Sequence, residues 1–310
     1  MAGAPTTGFL LGKFLPPHRG HQYLIEFARN YVDRLTVLVC TIEQEPIPGR
    51  LRYRWMCEAF PGVDLVHHTD EIPQAPEEHP QFWEIWRASI RRHVPGRIDY
   101  VFASEDYGGR LAQELDARFV LVDRERRNVP VSGRAIRRDP MAHWDELLPP
   151  VRPYYLKRVC VCDSRQSALA HELAAHFRTV CVHAYDGGVL DEAHPPRGRD
   201  ALLRLFQGQM AAEDALARQA NRVLLCEADA LTLAAWSEAH LGGCRPDLRA
   251  TAERQPFDLY LLTEGDQPQA RLVTDGRPVL HLRGSHEAQF QQACEAIGHL
   301  FVTPAPITSA

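Results

Sequence analysis

The sequence predicts an α/β protein built from two doubly wound parallel sheets, and three observations lead there. Short apolar runs alternate with amphipathic stretches along most of the chain, the pattern of strands joined by helical crossovers. The 310 residues exceed the usual extent of one hydrophobic core. A proline-marked break, Leu147-Leu148-Pro149-Pro150-Val151-Arg152-Pro153, interrupts the alternation once, after which it starts afresh. The boundary is therefore placed near Pro150, giving domains 1–150 and 151–310.

In the first half, the apolar runs at residues 9–11, 35–40, 63–66, 100–103 and 119–122 read as strands. Strands covered on both faces carry continuous apolar runs rather than strict alternation, which is what parallel sheets show. The stretches 23–31, 51–60, 82–93 and 110–115 read as the helices between them. In the second half, strands are expected at 159–162, 180–183, 223–226, 259–262 and 279–282, with helices at 167–177, 201–220, 231–240 and 287–301. Right-handed crossovers then place helices on both faces of each sheet.

Apolar residues at 45% and charged residues at 24% are globular proportions, and a net charge of −5 offers no general attraction for nucleic acid or an anionic membrane. Neither is expected as a partner. The N-terminus lacks the pattern of a signal peptide and no apolar stretch has spanning length, so the expected compartment is the cytoplasm. The eight cysteines are scattered, mostly within apolar runs, and read as buried reduced thiols.

The segment Gly12-Lys13-Phe14-Leu15-Pro16-Pro17-His18-Arg19-Gly20-His21 follows the first strand and opens the first helix. In an open parallel sheet that is where ligands bind, with free N–H groups of a helix N-terminus facing an anion. Gly12 permits close backbone approach, and Gly20 removes a side chain from the first helical turn. His18 and His21 stand three apart on one face, where both imidazoles can donate hydrogen bonds to charge developing on a phosphate. These positions match G-x-F-x-P-x-H-x-G-H, and here the chain resembles the adenylyl and cytidylyl transferases. Val131-Ser132-Gly133-Arg134-Ala135-Ile136-Arg137 resembles their second phosphate segment, in which Ser132 caps a helix and Arg137 grips phosphate. It departs at Arg134, where the familiar form has threonine.

Longer stretches narrow the resemblance. Glu45-Pro46-Ile47-Pro48-Gly49 with Arg52, Arg54 and Trp55, then Phe82-Trp83-Glu84-Ile85-Trp86, Ser104-Glu105-Asp106-Tyr107-Gly108 and Asp139-Pro140 with His143-Trp144, are similar to the NadR-type nicotinamide mononucleotide (NMN) adenylyltransferases. The resemblance implies a Rossmann-like nucleotidyltransferase domain that joins ATP and NMN into NAD and pyrophosphate, an NAD salvage step. His18 and His21 are the implied catalytic residues. ATP would be bound by Gly12, Lys13, Phe14, His18, His21, Ser132 and Arg137, and magnesium would arrive with it. Trp55, Trp83 or Trp86 would offer a face to the pyridinium ring. No residue of the chain is assigned as a metal ligand, and a homo-oligomer is implied by the family only.

The second half resembles the ribosylnicotinamide kinase domain of the same proteins in Arg158-Val159-Cys160, in Arg222 to Cys226 leading to Glu227-Ala228-Asp229, and in Phe257-Asp258-Leu259-Tyr260-Leu261-Leu262. Its phosphate loop departs from that pattern. Cys162-Asp163-Ser164-Arg165-Gln166-Ser167-Ala168 holds neither the glycines that turn N–H groups inward nor the lysine that neutralises phosphates. The family's D-x-D is Glu227-Ala228-Asp229, and its arginine-rich lid is shortened to the stretch from Thr263 to Arg271. A kinase-like domain without kinase activity is expected. The first catalytic strand begins near Thr7, so the helix-turn-helix repressor domain of the fullest family members is expected to be missing. The alternative function is a pyridine-nucleotide or ATP sensor that binds without turnover.

Overall fold

The computed structural model describes residues 4–162, 168–185, 199–254, 257–263 and 277–302. The chain divides into two compact units, Met1–Val151 and Arg152–Ala310. Each holds one sheet of five parallel strands.

In the first unit the chain runs β1 (Thr7–Gly12), α1 (Arg19–Tyr31), β2 (Arg34–Cys40), α2 (Gly49–Ala59) and β3 (Asp64–His68). It continues through α3 (Phe82–His93), β4 (Tyr100–Ala103), α4 (Tyr107–Glu114), β5 (Arg118–Leu121) and α5 (Gly133–Arg138). The strand order is β3-β2-β1-β4-β5, so the direction of winding reverses between β1 and β4. That reversal opens a crevice at the carboxyl ends of β1 and β4, the place where doubly wound sheets bind ligands. Phe9, Leu38 and Val101 from the sheet pack with Trp86 and Ile90 of α3 and Leu111 of α4 to form the core on one face.

The second unit runs α6 (Arg152–Tyr155), β6 (Lys157–Cys162), α7 (Ala168–His176), β7 (Cys181–Val182), α8 (Arg199–Ala217) and β8 (Val223–Cys226). Then come α9 (Ala230–Leu241), α10 (Pro246–Arg254), β9 (Leu259–Leu262), β10 (Val279–His281) and α11 (His286–Val302). Its strand order is β10-β9-β6-β8-β7. Val159, Val161, Val223, Leu225 and Leu261 meet Leu173 of α7 and Ile297 of α11.

The architecture is the one the alternation predicts. α10 was not foreseen, because this short polar helix buries only Leu248 and Ala252, too few apolar positions for a visible stripe. β7 is cut to two residues, paired with β8 through Cys181↔Leu225 and Val182↔Cys226. The eight cysteines are free thiols, but Cys57 is exposed on α2 rather than buried. The altered phosphate loop at 163–167 and the lid at 264–271 lie outside the described residues. Among the described residues, no helix is long and apolar enough to cross a membrane.

Candidate functional site

A cavity of about 810 Å³ opens at the crevice of the first unit, within the range of small-molecule sites. It is lined by the segment after β1, the start of α3, the loop after β4 and the turn before α5. Of the residues singled out in the sequence, Gly12, Lys13, Phe14, His18, His21, Trp83, Trp86 and Arg137 line it, as does Ser132. Trp55 does not. It is buried on the inner face of α2 beside Met56, at 4% exposure, so of the three tryptophans proposed for the pyridine ring only two border this cavity.

The segment after β1 bends at Leu15 and Pro16. It turns at Phe14, whose φ of 47° lies in the left-handed region, and carries the chain to α1. There His18 is the N-cap: its Nδ1 accepts from Gly20 N at 3.1 Å, while His21 Nδ1 accepts from His18 N at 3.3 Å. This is a capping box in which both side chains are imidazoles. Gly20 is needed for that fold-back, since a Cβ there would lie 2.9 Å from His18 Cε1. The glycine thus makes room for the histidine, not directly for a nucleotide. The backbone of His18 is also bridged to Leu147 near the end of the unit.

The caps decide the tautomer. A neutral imidazole has one donor and one acceptor nitrogen, so a ring whose Nδ1 accepts from a backbone N–H carries its proton on Nε2. Burial pushes His18 down to about 4, with the Arg126 guanidinium adding to the effect. His21 is held well below its usual value by burial, by His18 and by Arg126. Both rings are therefore neutral at pH 7, 3.8 Å apart between centroids, each with one Nε2–H donor. Phe14 meets His21 edge-on at 4.9 Å and fixes its plane. Neutral donors placed in advance suit the stabilisation of developing negative charge, and neither ring is an imidazolium that could act as a general acid at pH 7.

Ser132 caps α5, its Oγ accepting from Ala135 N at 3.2 Å. Gly133 packs against the segment after β1 so closely that a Cβ would lie 2.5 Å from Leu15 O. Arg137 Nη1 donates to that same carbonyl. The two cavity segments are thereby latched, and a guanidinium has five N–H donors, so the latch leaves others unused by it. Lys13 forms an ion pair with Glu45 Oε1 at 3.1 Å. Glu45 in turn holds the buried Arg52, which also donates to Lys13 O and Ile47 O. Arg52 is thus a tie between the loops after β1 and β2.

Arg126 was not read from the sequence. It sits in the loop after β5 with φ 52°, donates to Val131 O at 3.1 Å, and lines the cavity beside the histidines. Nothing in a lone loop arginine marks it before folding. Arg134, noted only as a departure from the family's threonine, also lines the cavity and is exposed. At the other wall, Trp86 is fixed by a hydrogen bond from its Nε1 to Pro73 O at 2.8 Å and lies over His68 at 5.5 Å and 18°. Trp83 meets Phe82 edge-on at 5.1 Å and is the more exposed of the two.

A doubly wound sheet with two latched segments bordering a cavity at its switch point defines the first unit as nucleotidyltransferase-like, joined to a second α/β unit. Comparison with known proteins makes this particular: the chain is homologous to NadR. It is 26% identical to the trifunctional NAD biosynthesis/regulator protein NadR of Escherichia coli over 299 residues, 87% of this chain and 71% of that one. The nicotinamide-nucleotide adenylyltransferase of Thermococcus onnurineus is 22% identical over 166 residues, covering 50% of this chain and 84% of its own. A crystal structure of NadR in complex with NR superposes with a TM-score of 0.76 at 17% identity, covering 96% of each chain, and shares the fold. Residues 166–306 match the AAA domain family model.

Proposed function

We propose that the first unit transfers the adenylyl group of ATP to NMN, giving NAD and pyrophosphate. The observation that carries this reading is the pair of neutral, capped imidazoles with Nε2–H donors at the switch-point cavity. ATP would lie with its triphosphate along the helix N-terminus between the two latched segments. Arg126, Arg137 and Arg134 would face its anionic oxygens, and an NMN phosphate oxygen would attack the α-phosphorus in line. The P–O bond to the β-phosphate breaks and pyrophosphate leaves, so no side-chain nucleophile is required. The Nε2–H groups of His18 and His21 stay protonated throughout and donate to the charge that grows on the transferring phosphate. Trp83, the more exposed ring at the opposite wall, would take the pyridinium face.

Magnesium fits here as an ion carried by the triphosphate, where it would neutralise charge. Asp123 accepts from the backbone N–H groups of Arg127 and Asn128, and Glu105 faces Arg126, so the cavity's carboxylates are engaged by the chain itself. An ion that keeps most of its waters and binds phosphate oxygens needs no protein cage.

We also propose that the second unit does not phosphorylate ribosylnicotinamide. Asp229, the second carboxylate of Glu227-Ala228-Asp229, is buried as the N-cap of α9. Its Oδ1 accepts from Thr232 N at 2.7 Å and its Oδ2 from Tyr260 OH at 2.6 Å. Both oxygens are committed to the fold. Phosphorylation of ribosylnicotinamide by the full chain with ATP would refute this part.

A further inference from the structure

The second unit brings together three side chains that lie far apart in the sequence. His171 is on α7, His183 directly follows β7, and Glu227 directly follows β8, so the latter two leave neighbouring strands at their carboxyl ends. One ligating atom from each lies within 4.8 Å of the others. His183 Nδ1 is 3.0 Å and His171 Nε2 3.4 Å from the same oxygen, Glu227 Oε1.

The distances are those of ion pairs, but the hydrogen bonds an ion pair would make are missing. Glu227 Oε1 is buried and has no hydrogen-bond donor although two imidazole nitrogens are this close, so neither ring aims an N–H at it. The other oxygen, Oε2, accepts from Ala184 N at 3.1 Å, and Glu227 N donates to Val182 O at 3.0 Å, which orients Oε1 toward the rings. Ligand atoms around a tetrahedral ion with bonds of about 2.0–2.1 Å are separated by about 3.3 Å. The observed 3.0 and 3.4 Å bracket that edge. Both rings are largely exposed, at 47% and 66% of their side-chain surface, so an ion can reach them and they can adjust to it.

A second cluster, His68, Asp70 and His93 in the first unit, is different. His68 Nε2 is hydrogen bonded to Ser89 Oγ at 2.7 Å, Asp70 takes Ser89 and Arg92, and His93 Nδ1 is 3.0 Å from Ser89 O. His68 Nε2, Asp70 Oδ2 and His93 Nδ1 are thus engaged by Ser89 and Arg92, whereas in the second-unit cluster both imidazole nitrogens converge on one carboxylate oxygen that has no hydrogen-bond donor.

We propose that His171, His183 and Glu227 form a binding site for a zinc-class divalent ion. Two imidazoles and one carboxylate suit Zn2+ and Co2+, while Mg2+ prefers all-oxygen octahedral surroundings. Three protein ligands leave a fourth position for water or an anionic oxygen, the pattern of sites that act on or hold a small ligand. The site spans α7 and the ends of β7 and β8, so the ion would also tie these elements together.

The test uses the full chain, stripped by chelation and titrated with Co2+ while the visible ligand-field band is recorded, followed by displacement with Zn2+. One equivalent of Co2+ is expected to give an intense tetrahedral band that Zn2+ removes and millimolar Mg2+ does not. His171→Ala and His183→Ala should each weaken binding at least about 10-fold, the loss that even second-sphere partners of a metal can cause. His93→Ala should leave it unchanged, with circular dichroism and thermal melting showing that every variant is folded. Absence of the band in the unaltered chain, or its retention with unchanged affinity in the His171→Ala/His183→Ala double variant, overturns the proposal.

Discussion

His18 has two separable tasks, and one pair of substitutions divides them. Its Nδ1 caps α1, and its ring, which carries the Nε2–H donor, lines the cavity. His18→Ala removes both. The cap is worth about 1 kcal/mol, which lowers the melting temperature of a unit of this size by about 2–4 °C. Loss of one preorganised donor to a transition-state oxygen costs about 10²–10³-fold in turnover, or about 3–4 kcal/mol. His18→Asn differs in one respect. An asparagine Oδ1 can occupy the place of Nδ1 and accept from Gly20 N, but no atom reaches the position of Nε2. Thermal melting should therefore be restored to within about 0.5 kcal/mol of the unaltered chain, a normal spread among good caps. Turnover, followed as NAD formation through an NAD-specific dehydrogenase, should stay at the alanine level. Recovery of turnover in His18→Asn would refute the donor role and leave His18 as a cap alone; unchanged turnover in both variants would refute the catalytic site.

Three further expectations concern the same cavity. Since His18 titrates at about 4 in the folded chain and near 6.5 unfolded, the unfolded chain binds more protons between those values. The contribution of His18 to stability is then complete above about 6.5 and is lost as pH falls toward 4, while NAD formation should show no histidine limb near 6.5; an acid limb centred there would contradict the neutral pair. Arg126→Ala should raise KM for ATP about 10-fold, as for a lost charge-assisted hydrogen bond, and move any acid limb upward because a cation beside both rings is gone. Gly133→Ala should destabilise the first unit by about 1–3 kcal/mol in denaturant melts, through its clash with Leu15 O, whereas Gly109→Ala, whose Cβ would lie 3.7 Å from Phe119, should be tolerated.

The sheets were legible because parallel strands covered on both faces must be apolar throughout, and runs such as 35–40 and 223–226 say so directly. Helices with broad apolar stripes, such as α3, were equally plain, while α10 with two buried residues was not. At the site, His18, His21, Ser132 and Arg137 were legible as a pattern, but their geometry was not. A capping box is sought as serine or threonine with glutamate or glutamine, so two histidines in those positions give no such signal. Spacing shows that Gly20 lacks a side chain but does not show that the His18 ring fills the gap. Trp55 could not be separated from Trp83 and Trp86 until α2 turned it inward. Arg126 and the cluster of His171, His183 and Glu227 depend on loops and strand ends meeting in space, which no local window contains.

The adenylyl transfer itself is tested most directly by supplying the purified full chain with ATP, magnesium and NMN and measuring NAD and pyrophosphate together. The account predicts the two products in equal amounts, with neither formed when ribosylnicotinamide replaces NMN. Saturable NMN binding with no NAD formed would contradict it and leave a pyridine-nucleotide binding protein in place of an enzyme.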